Sequence, residues 1–153
     1  MRYWLMKSEP TAYSIDDLAK DGREIWDGVR NYQARNYLRE MQAGDLAFFY
    51  HSNAKPPGVA GLMRVVKSGV VDPTQFDPES RYYDPKSSPE NPRWQTVEVE
   101  FVEKFPRFVP LSELRQRFSE EELPLLKRGF RLSVMPVDER TAEKLLEMAR
   151  NAG

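Results

Sequence analysis

The sequence contains no cysteine, and His51 is its only histidine. No disulfide can therefore form, and zinc sites built from cysteine and histidine ligands are excluded. The carboxylates show none of the spacings typical of cation-binding loops, so we predict neither a metal nor a cofactor. Glycine-rich loops that bind nucleotide phosphates are missing, as is a Gly-x-Ser-x-Gly motif around a nucleophilic serine. These gaps remove the usual signatures of metalloenzymes, nucleotide-dependent enzymes and serine hydrolases.

Long apolar runs are also missing, whereas a membrane-spanning helix needs about 20 consecutive apolar residues. The first residues lack the apolar stretch of a secretory signal, so we expect a cytoplasmic protein without membrane association. The length of 153 residues fits a single domain, 1–153. The net charge of −1 argues against indiscriminate coating of nucleic acid, but it permits a local basic face.

The order of apolar and polar stretches predicts an α+β domain around a curved sheet or small barrel. Residues 72–93 carry five prolines and are expected to form an irregular excursion within that domain. Helices are predicted to begin at Ser14, at Asn31 and near Asp138, with a short one in LSELRQRF. Apolar or alternating stretches predict strands at YWLM near the start and at 46–50, 59–71, 94–105 and 131–137.

The segment 27–41, DGVRNYQARNYLREM, carries more amide, guanidinium and tyrosine side chains than a solvated helix needs. If Asn31 caps a helix that ends near Gln42, residues three and four apart share a face. Two interpretations of these residues stay open: solvated surface groups around a cap, and a site that binds a planar polar ligand between Trp26 and Tyr32. The core face of this helix would hold Ala34, Tyr37, Leu38 and Met41, and the opposite face Tyr32, Arg35, Asn36 and Arg39.

Polar side chains also stand at the ends of two predicted strands. Lys7, Ser8 and Glu9 end the first strand, and the sequence HSN at 51–53 follows the apolar strand LAFFY. Loops at strand ends often hold binding sites, although the same residues are ordinary turn formers. Basic residues that could contact phosphates, if they share one face, are Arg30, Arg35, Arg39, Lys55, Arg64, Lys127, Arg128 and Arg131.

The chain resembles an EVE domain over nearly its whole length. The resemblance is carried, in this order, by YWLMKSEPTAYSIDDL, WDGVRNYQARNYLREMQAGDLAFFYHSN, PPGVAGLMRVV and RLSVMPV. It implies a PUA-like fold, a small β-barrel formed by a curved mixed sheet and flanked by short helices. EVE domains are related to the YTH and SRA readers of modified bases. The resemblance therefore implies a non-enzymatic pocket for a modified base, notably 5-methyl- or 5-hydroxymethylcytosine in DNA.

The family motifs also imply which residues bind the ligand. Phe130 is bulkier than the small or polar residue expected at its position. The implied ligand-binding residues are Lys7, Ser8, Glu9, Trp26, Val29, Arg30, Asn31, Tyr32, Gln33, Asn36, Phe49, Tyr50, His51, Ser52, Asn53, Arg131 and Ser133.

The expected mechanism is base flipping, or capture of a base from a single strand. The base would stack on one or more of Trp26, Tyr32 and Tyr50, while polar groups read its edge and basic residues hold phosphates. Flipping costs a few kcal/mol, which stacking at about 1–3 kcal/mol per base could offset.

Three alternatives stay open at this level. A reader of a modified base in RNA would use similar chemistry, because nothing in the sequence identifies a group that reads a 2′-hydroxyl. A small-molecule enzyme could use Glu9 or His51 as a general base. A protein-interaction module would leave the polar cluster as plain surface. We expect a monomer whose partner is nucleic acid.

Overall fold

Six strands and four helices make up residues 1–151, the part of the chain described by a computed structural model. None of the helices in this part is both long and apolar enough to cross a membrane. The strands are β1 (Tyr3–Ser8), β2 (Arg23–Ile25), β3 (Leu46–His51), β4 (Gly58–Val71), β5 (Gln95–Pro110) and β6 (Val134–Val137). The helices are α1 (Ile15–Asp21), α2 (Tyr32–Glu40), α3 (Leu111–Arg117) and α4 (Glu139–Arg150).

All six strands belong to one mixed sheet in the order β2-β5-β4-β3-β1-β6. Only β1 and β3 run parallel, and every other pair in the described chain is antiparallel. The predicted curved mixed sheet is confirmed, and it is open, with β2 and β6 at its edges. Helix α2 contacts both β5 and β6, which lie four places apart in the sheet. The helix therefore bridges the two sides of the open sheet.

Two apolar clusters lie on opposite faces of the sheet, as the alternation of side chains along a strand requires. Trp4 and Met6 of β1 belong to the cluster beneath α1 and α2. Leu5 belongs to the cluster beneath α3 and α4. The predicted core residues of the last helix are confirmed, and all of them are buried: Ala142, Leu145, Leu146 and Ala149.

Helix starts follow the predicted capping residues. Ser14 and Asp17 form a reciprocal capping box at α1, and Asn31 accepts a 3.0 Å hydrogen bond from the Ala34 N–H. Helix α2 ends at Glu40, slightly before the predicted Gln42. The reason is that the Gln42 N–H donates to the side chain of Asp45 instead of continuing the helix.

The last strand is shorter than predicted, since β6 begins at Val134 rather than at residue 131. A turn precedes it, in which the Phe130 N–H donates to the Lys127 carbonyl and Gly129 has a φ of +77°. Residues 131–133 therefore lie outside the strand, although the Ser133 carbonyl still accepts a hydrogen bond from the Lys7 N–H.

The excursion at 72–93 is irregular, as predicted, apart from a 3-10 turn at Pro73–Phe76. Its base is fastened by Gln75, which is fully buried. The Gln75 amide donates to the carbonyls of Asp72 and Trp94 and accepts from the Trp94 N–H. The Gln75 side chain therefore bonds to the backbone at both ends of the excursion, where the chain leaves β4 and enters β5. These bonds hold the two ends of the excursion together.

Candidate nucleic-acid interface

The polar residues at two strand ends meet because β1 and β3 are parallel and end on the same side of the sheet. Lys7 lies opposite Tyr50, and Ser8 lies opposite His51. The Ser52 N–H donates to the Ser8 carbonyl. We refer to the group as the strand-end cluster, which consists of Lys7, Ser8, Glu9, His51, Ser52, Asn53 and Ser133.

The lead-in to helix α2 lies close to this cluster, because Trp26 contacts Phe49, two residues before His51. At the other end of the helix, the Gln42 N–H and the Trp4 indole Nε1–H both donate to Asp45, which directly precedes β3. Between these ends, the buried face of α2 packs in the same apolar cluster as Met6 and Phe49. The lead-in to α2 and its first turn therefore lie near the ends of β1 and β3.

Hydrogen bonds within the cluster engage both groups considered as general bases. His51 Nε2 accepts from the Ile15 N–H at 3.1 Å, so the imidazole is neutral in this arrangement. Burial lowers the pKa of His51; Lys104 acts in the same direction and Asp16 opposes it. Glu9 accepts from the Asn53 amide at 2.7 Å. The geometry thus gives both groups a structural role.

Lys7 and Ser133 have unused hydrogen-bonding capacity in the same place. The Lys7 ammonium lies 5.9 Å from the ring centroid of Tyr50 and 5.6 Å from that of Phe130. Burial lowers the pKa of Lys7, and no carboxylate of residues 1–151 forms an ion pair with it. The half-buried Ser133 hydroxyl makes no hydrogen bond in the described chain. A half-buried cation without a counter-ion favours binding of an anionic group.

The aromatic residues predicted to hold the base differ greatly in accessibility. Trp26 is 7% exposed and meets Phe49 edge to face, with ring centroids 5.3 Å apart. Tyr50 is buried too, and that burial raises its pKa to about 12. These rings can form an apolar wall, but they present no open face. Tyr32 is 51% exposed and is the exception.

Tyr32 stacks on Trp94, with ring centroids 4.9 Å apart and planes 19° from parallel. The Arg35 guanidinium carbon lies 4.6 Å from the Tyr32 centroid and 5.8 Å from the Trp94 centroid. These three distances place Arg35 beside the stacked pair rather than on the outer face of Tyr32. Arg93 Nη1 approaches the Tyr32 hydroxyl at 3.4 Å. Sequence reasoning missed Trp94 and Arg93, because 61 or more residues separate them from Tyr32.

Arg30 was predicted to bind ligand, but its side chain is turned inward onto the excursion. It donates from Nε to the Tyr82 carbonyl, from Nη1 to the Val29 carbonyl and the Asp72 carboxylate, and from Nη2 to Thr74 Oγ1. Every nitrogen of the guanidinium is therefore engaged within the protein. Arg30 fixes the excursion against the lead-in to α2.

The family comparison agrees with this architecture, since residues 2–148 match the family model described as the EVE domain. The chain belongs to the EVE domain family. Thymocyte nuclear protein 1 of Danio rerio is 44% identical over 95% of this chain and 71% of its own length. The Homo sapiens protein of that name is 51% identical over 74% of this chain and 55% of its own length. This chain thus matches about half to seven-tenths of the length of these relatives.

Solved structures show the same fold. A Pseudomonas syringae protein is 48% identical, with a TM-score of 0.92 over 96% of this chain and 99% of its own. Human THYN1 protein, solved in complex with DNA containing 5-methylcytosine, is 41% identical, with a TM-score of 0.92 over 99% of each chain. The Mmi1 YTH domain, at 13% identity and a TM-score of 0.58 over 99% of this chain and 76% of its own, shares the fold alone. The expected EVE and PUA-like fold is confirmed.

The basic residues of this EVE domain divide into paired and unpaired groups. Arg64 forms a 2.7 Å ion pair with Glu100, and Arg39 donates to Gln95. Arg35 donates to the Arg93 carbonyl and to Asn36. Among the residues predicted to bind the base or its phosphates, the exposed side chains without a hydrogen bond or ion pair in the described chain are Gln33, Lys55, Lys127, Arg128 and Arg131.

Two surface clefts of the EVE domain lie away from the strand-end cluster. One, of about 490 Å³, is lined by residues of β5, α3 and α4 between Arg107 and Asn151. The other, of about 450 Å³, is lined by the first residues of the chain, the start of α4 and residues between them. Neither cleft contains a residue predicted to bind the base. Residues 1–151 also contain no group of three potential histidine or carboxylate metal ligands.

Proposed function

We propose that this EVE domain is a non-enzymatic reader that binds a modified cytosine in DNA. The observation that carries the proposal is the likeness to human THYN1 protein in complex with 5-methylcytosine-containing DNA, which extends over 99% of both chains. The two chains are 41% identical over that length, with a TM-score of 0.92. Location of the protein in the cytoplasm and its monomeric state stay predictions.

The strand-end cluster is where the modified base would bind. Cytosine presents an amine donor and two acceptors on its pairing edge. In this proposal Ser133 and Ser8 accept from the amine, because the Ser133 hydroxyl makes no hydrogen bond within residues 1–151 and Ser8 donates its own proton to the Tyr13 carbonyl. The phosphate of that nucleotide then supplies the negative counter-charge that the Lys7 ammonium lacks.

Recognition of the methyl group would come from the small exposed part of Trp26, which the fully buried Phe49 holds in place. Trp26 and Phe49 are held edge to face and cannot rotate without disturbing the core. A rigid apolar wall rewards one additional methyl group by about 1–3 kcal/mol, or roughly tenfold to 200-fold in affinity. The base must leave its duplex to reach this wall, at a cost of a few kcal/mol.

The test is fluorescence anisotropy of labelled duplexes at near-physiological salt, with matched unmodified, 5-methylcytosine and 5-hydroxymethylcytosine strands. The proposal predicts that a modified strand binds more tightly than the unmodified strand. Ser133→Ala should reduce the affinity for the modified strand more than Ser119→Ala, a control at an exposed serine, does. A matched RNA carrying 5-methylcytosine forms the final arm. Equal and salt-sensitive binding to all DNA strands would refute a DNA reader, and a preference confined to RNA would assign the site to RNA.

A further inference from the structure

Tyr32 is unusual because a large aromatic ring is held rigidly while half of its surface faces solvent. Its inner face rests on Trp94, which is itself fixed from three sides. The Trp94 indole Nε1–H donates to Asp84 at 2.8 Å, and its carbonyl accepts from Gln75. The Arg30 guanidinium carbon lies 5.1 Å from the Trp94 ring centroid. The stack therefore loses little conformational freedom when a ligand binds.

Cationic groups flank the stack without covering it. Arg35 lies beside the pair and is held by the Arg93 carbonyl and the Asn36 side chain. Arg93, which directly precedes Trp94 in the chain, donates from Nη1 to the Tyr32 hydroxyl at 3.4 Å. The remaining face of Tyr32 points to solvent. An open aromatic face with guanidinium groups at its margin suits a nucleobase whose phosphates lie alongside.

We propose that this surface, the Tyr32 platform (Tyr32, Trp94, Arg35 and Arg93), stacks a second nucleobase of the bound strand. Tyr32 is the first residue of α2, and Trp26 in the lead-in to that helix contacts Phe49, two residues before His51 of the strand-end cluster. A nucleotide flanking the flipped cytosine can therefore reach the platform. The inference rests on the proposed function, but it assigns a separate task. The platform holds a neighbouring base of any identity, because every base has a stacking face, and it contributes affinity without reading the modification.

The experiment uses duplexes with 2-aminopurine next to 5-methylcytosine, since 2-aminopurine fluoresces when unstacked and is quenched when stacked. In the parent complex, 2-aminopurine should stay quenched although the adjacent 5-methylcytosine has flipped out of the base stack. In Tyr32→Leu it should brighten, and affinity should fall roughly five- to 150-fold for modified and unmodified strands alike. Tyr32→Phe keeps the ring and should match the parent. Tyr83→Leu removes another exposed tyrosine, on the excursion, and is the matched control.

Each contrary outcome has a distinct meaning. Bright 2-aminopurine in the parent complex would refute the platform, even if Tyr32→Leu failed to fold. Unchanged affinity and emission in a folded Tyr32→Leu variant would do the same. A loss confined to modified strands would place Tyr32 in the base pocket instead. If the parent showed no preference for modified strands, the reader proposal would fail. The loss of affinity for unmodified strands in Tyr32→Leu would still test whether the platform stacks a base.

Discussion

Arg30 provides a quantitative test of how the excursion is held. Its side chain is 21% exposed and pairs at 3.0 Å with Asp72, whose side chain is only 2% exposed. Removing one partner of a buried ion pair costs about 3–5 kcal/mol, because the other charge stays buried. Asp72 would keep hydrogen bonds from the Gly28 N–H and from Thr74, so we expect the lower end of that range of cost. We expect Arg30→Met to reduce the free energy of unfolding by about 3 kcal/mol.

Urea unfolding monitored by tryptophan fluorescence would measure this loss, with Asp72→Asn and the double variant completing a thermodynamic cycle. A loss of about 3 kcal/mol corresponds to a melting temperature roughly 6–12 °C lower for a domain of this size. The double variant should be more stable than the sum of the single losses implies. A loss below about 1 kcal/mol for Arg30→Met, or strict additivity in the cycle, would show that Arg30 does not hold the excursion through Asp72.

Three further outcomes follow from contacts elsewhere. The neutral form of His51 accepts a hydrogen bond from the Ile15 N–H, and burial lowers the pKa of His51. The stability contributed by this bond should therefore be complete above about pH 6.5 and should decline as the pH falls below that value. Thermal unfolding at several pH values should show that His51→Gln loses this pH dependence. Asn31→Ala should cost about 1 kcal/mol of unfolding free energy in urea titrations, whereas Asn31→Asp should keep the cap. Lys7→Met should weaken DNA binding and lower the slope of log affinity against log salt by about one, and Lys20→Met, on the exposed end of α1, should leave both unchanged.

Local signals predicted the helix starts well, because each cap joins groups only three residues apart. Ser14, Asn31 and Asp138 all cap helices as expected. The sheet edges were harder, since strand periodicity reveals which residues face the core but not whether the first and last strands meet. The sequence therefore allowed a closed barrel, whereas the structure leaves β2 and β6 unpaired on their outer sides.

The candidate site shows the same division. Resemblance placed Lys7 and Ser133 among the ligand-binding residues, and the structure joins them by a backbone hydrogen bond. The inward turn of Arg30 depends on Asp72, 42 residues away, and spacing along a helix carries no information about that partner. Trp94 looked like the start of a strand, and its stacking on Tyr32 arises only when the excursion folds back. Tertiary contacts thus decided which polar residues stayed available.

Strand β1 has a consequence for how the chain can fold during synthesis. It lies inside the sheet between β3 and β6, so Tyr3 pairs with Leu46 on one side and with Val137 on the other. The ribosome releases the first strand long before the last, and during that interval one edge of β1 has no hydrogen-bonding partner. An unpaired apolar edge is a site for aggregation. Chains arrested before Val134 should therefore depend more on chaperones than complete chains do.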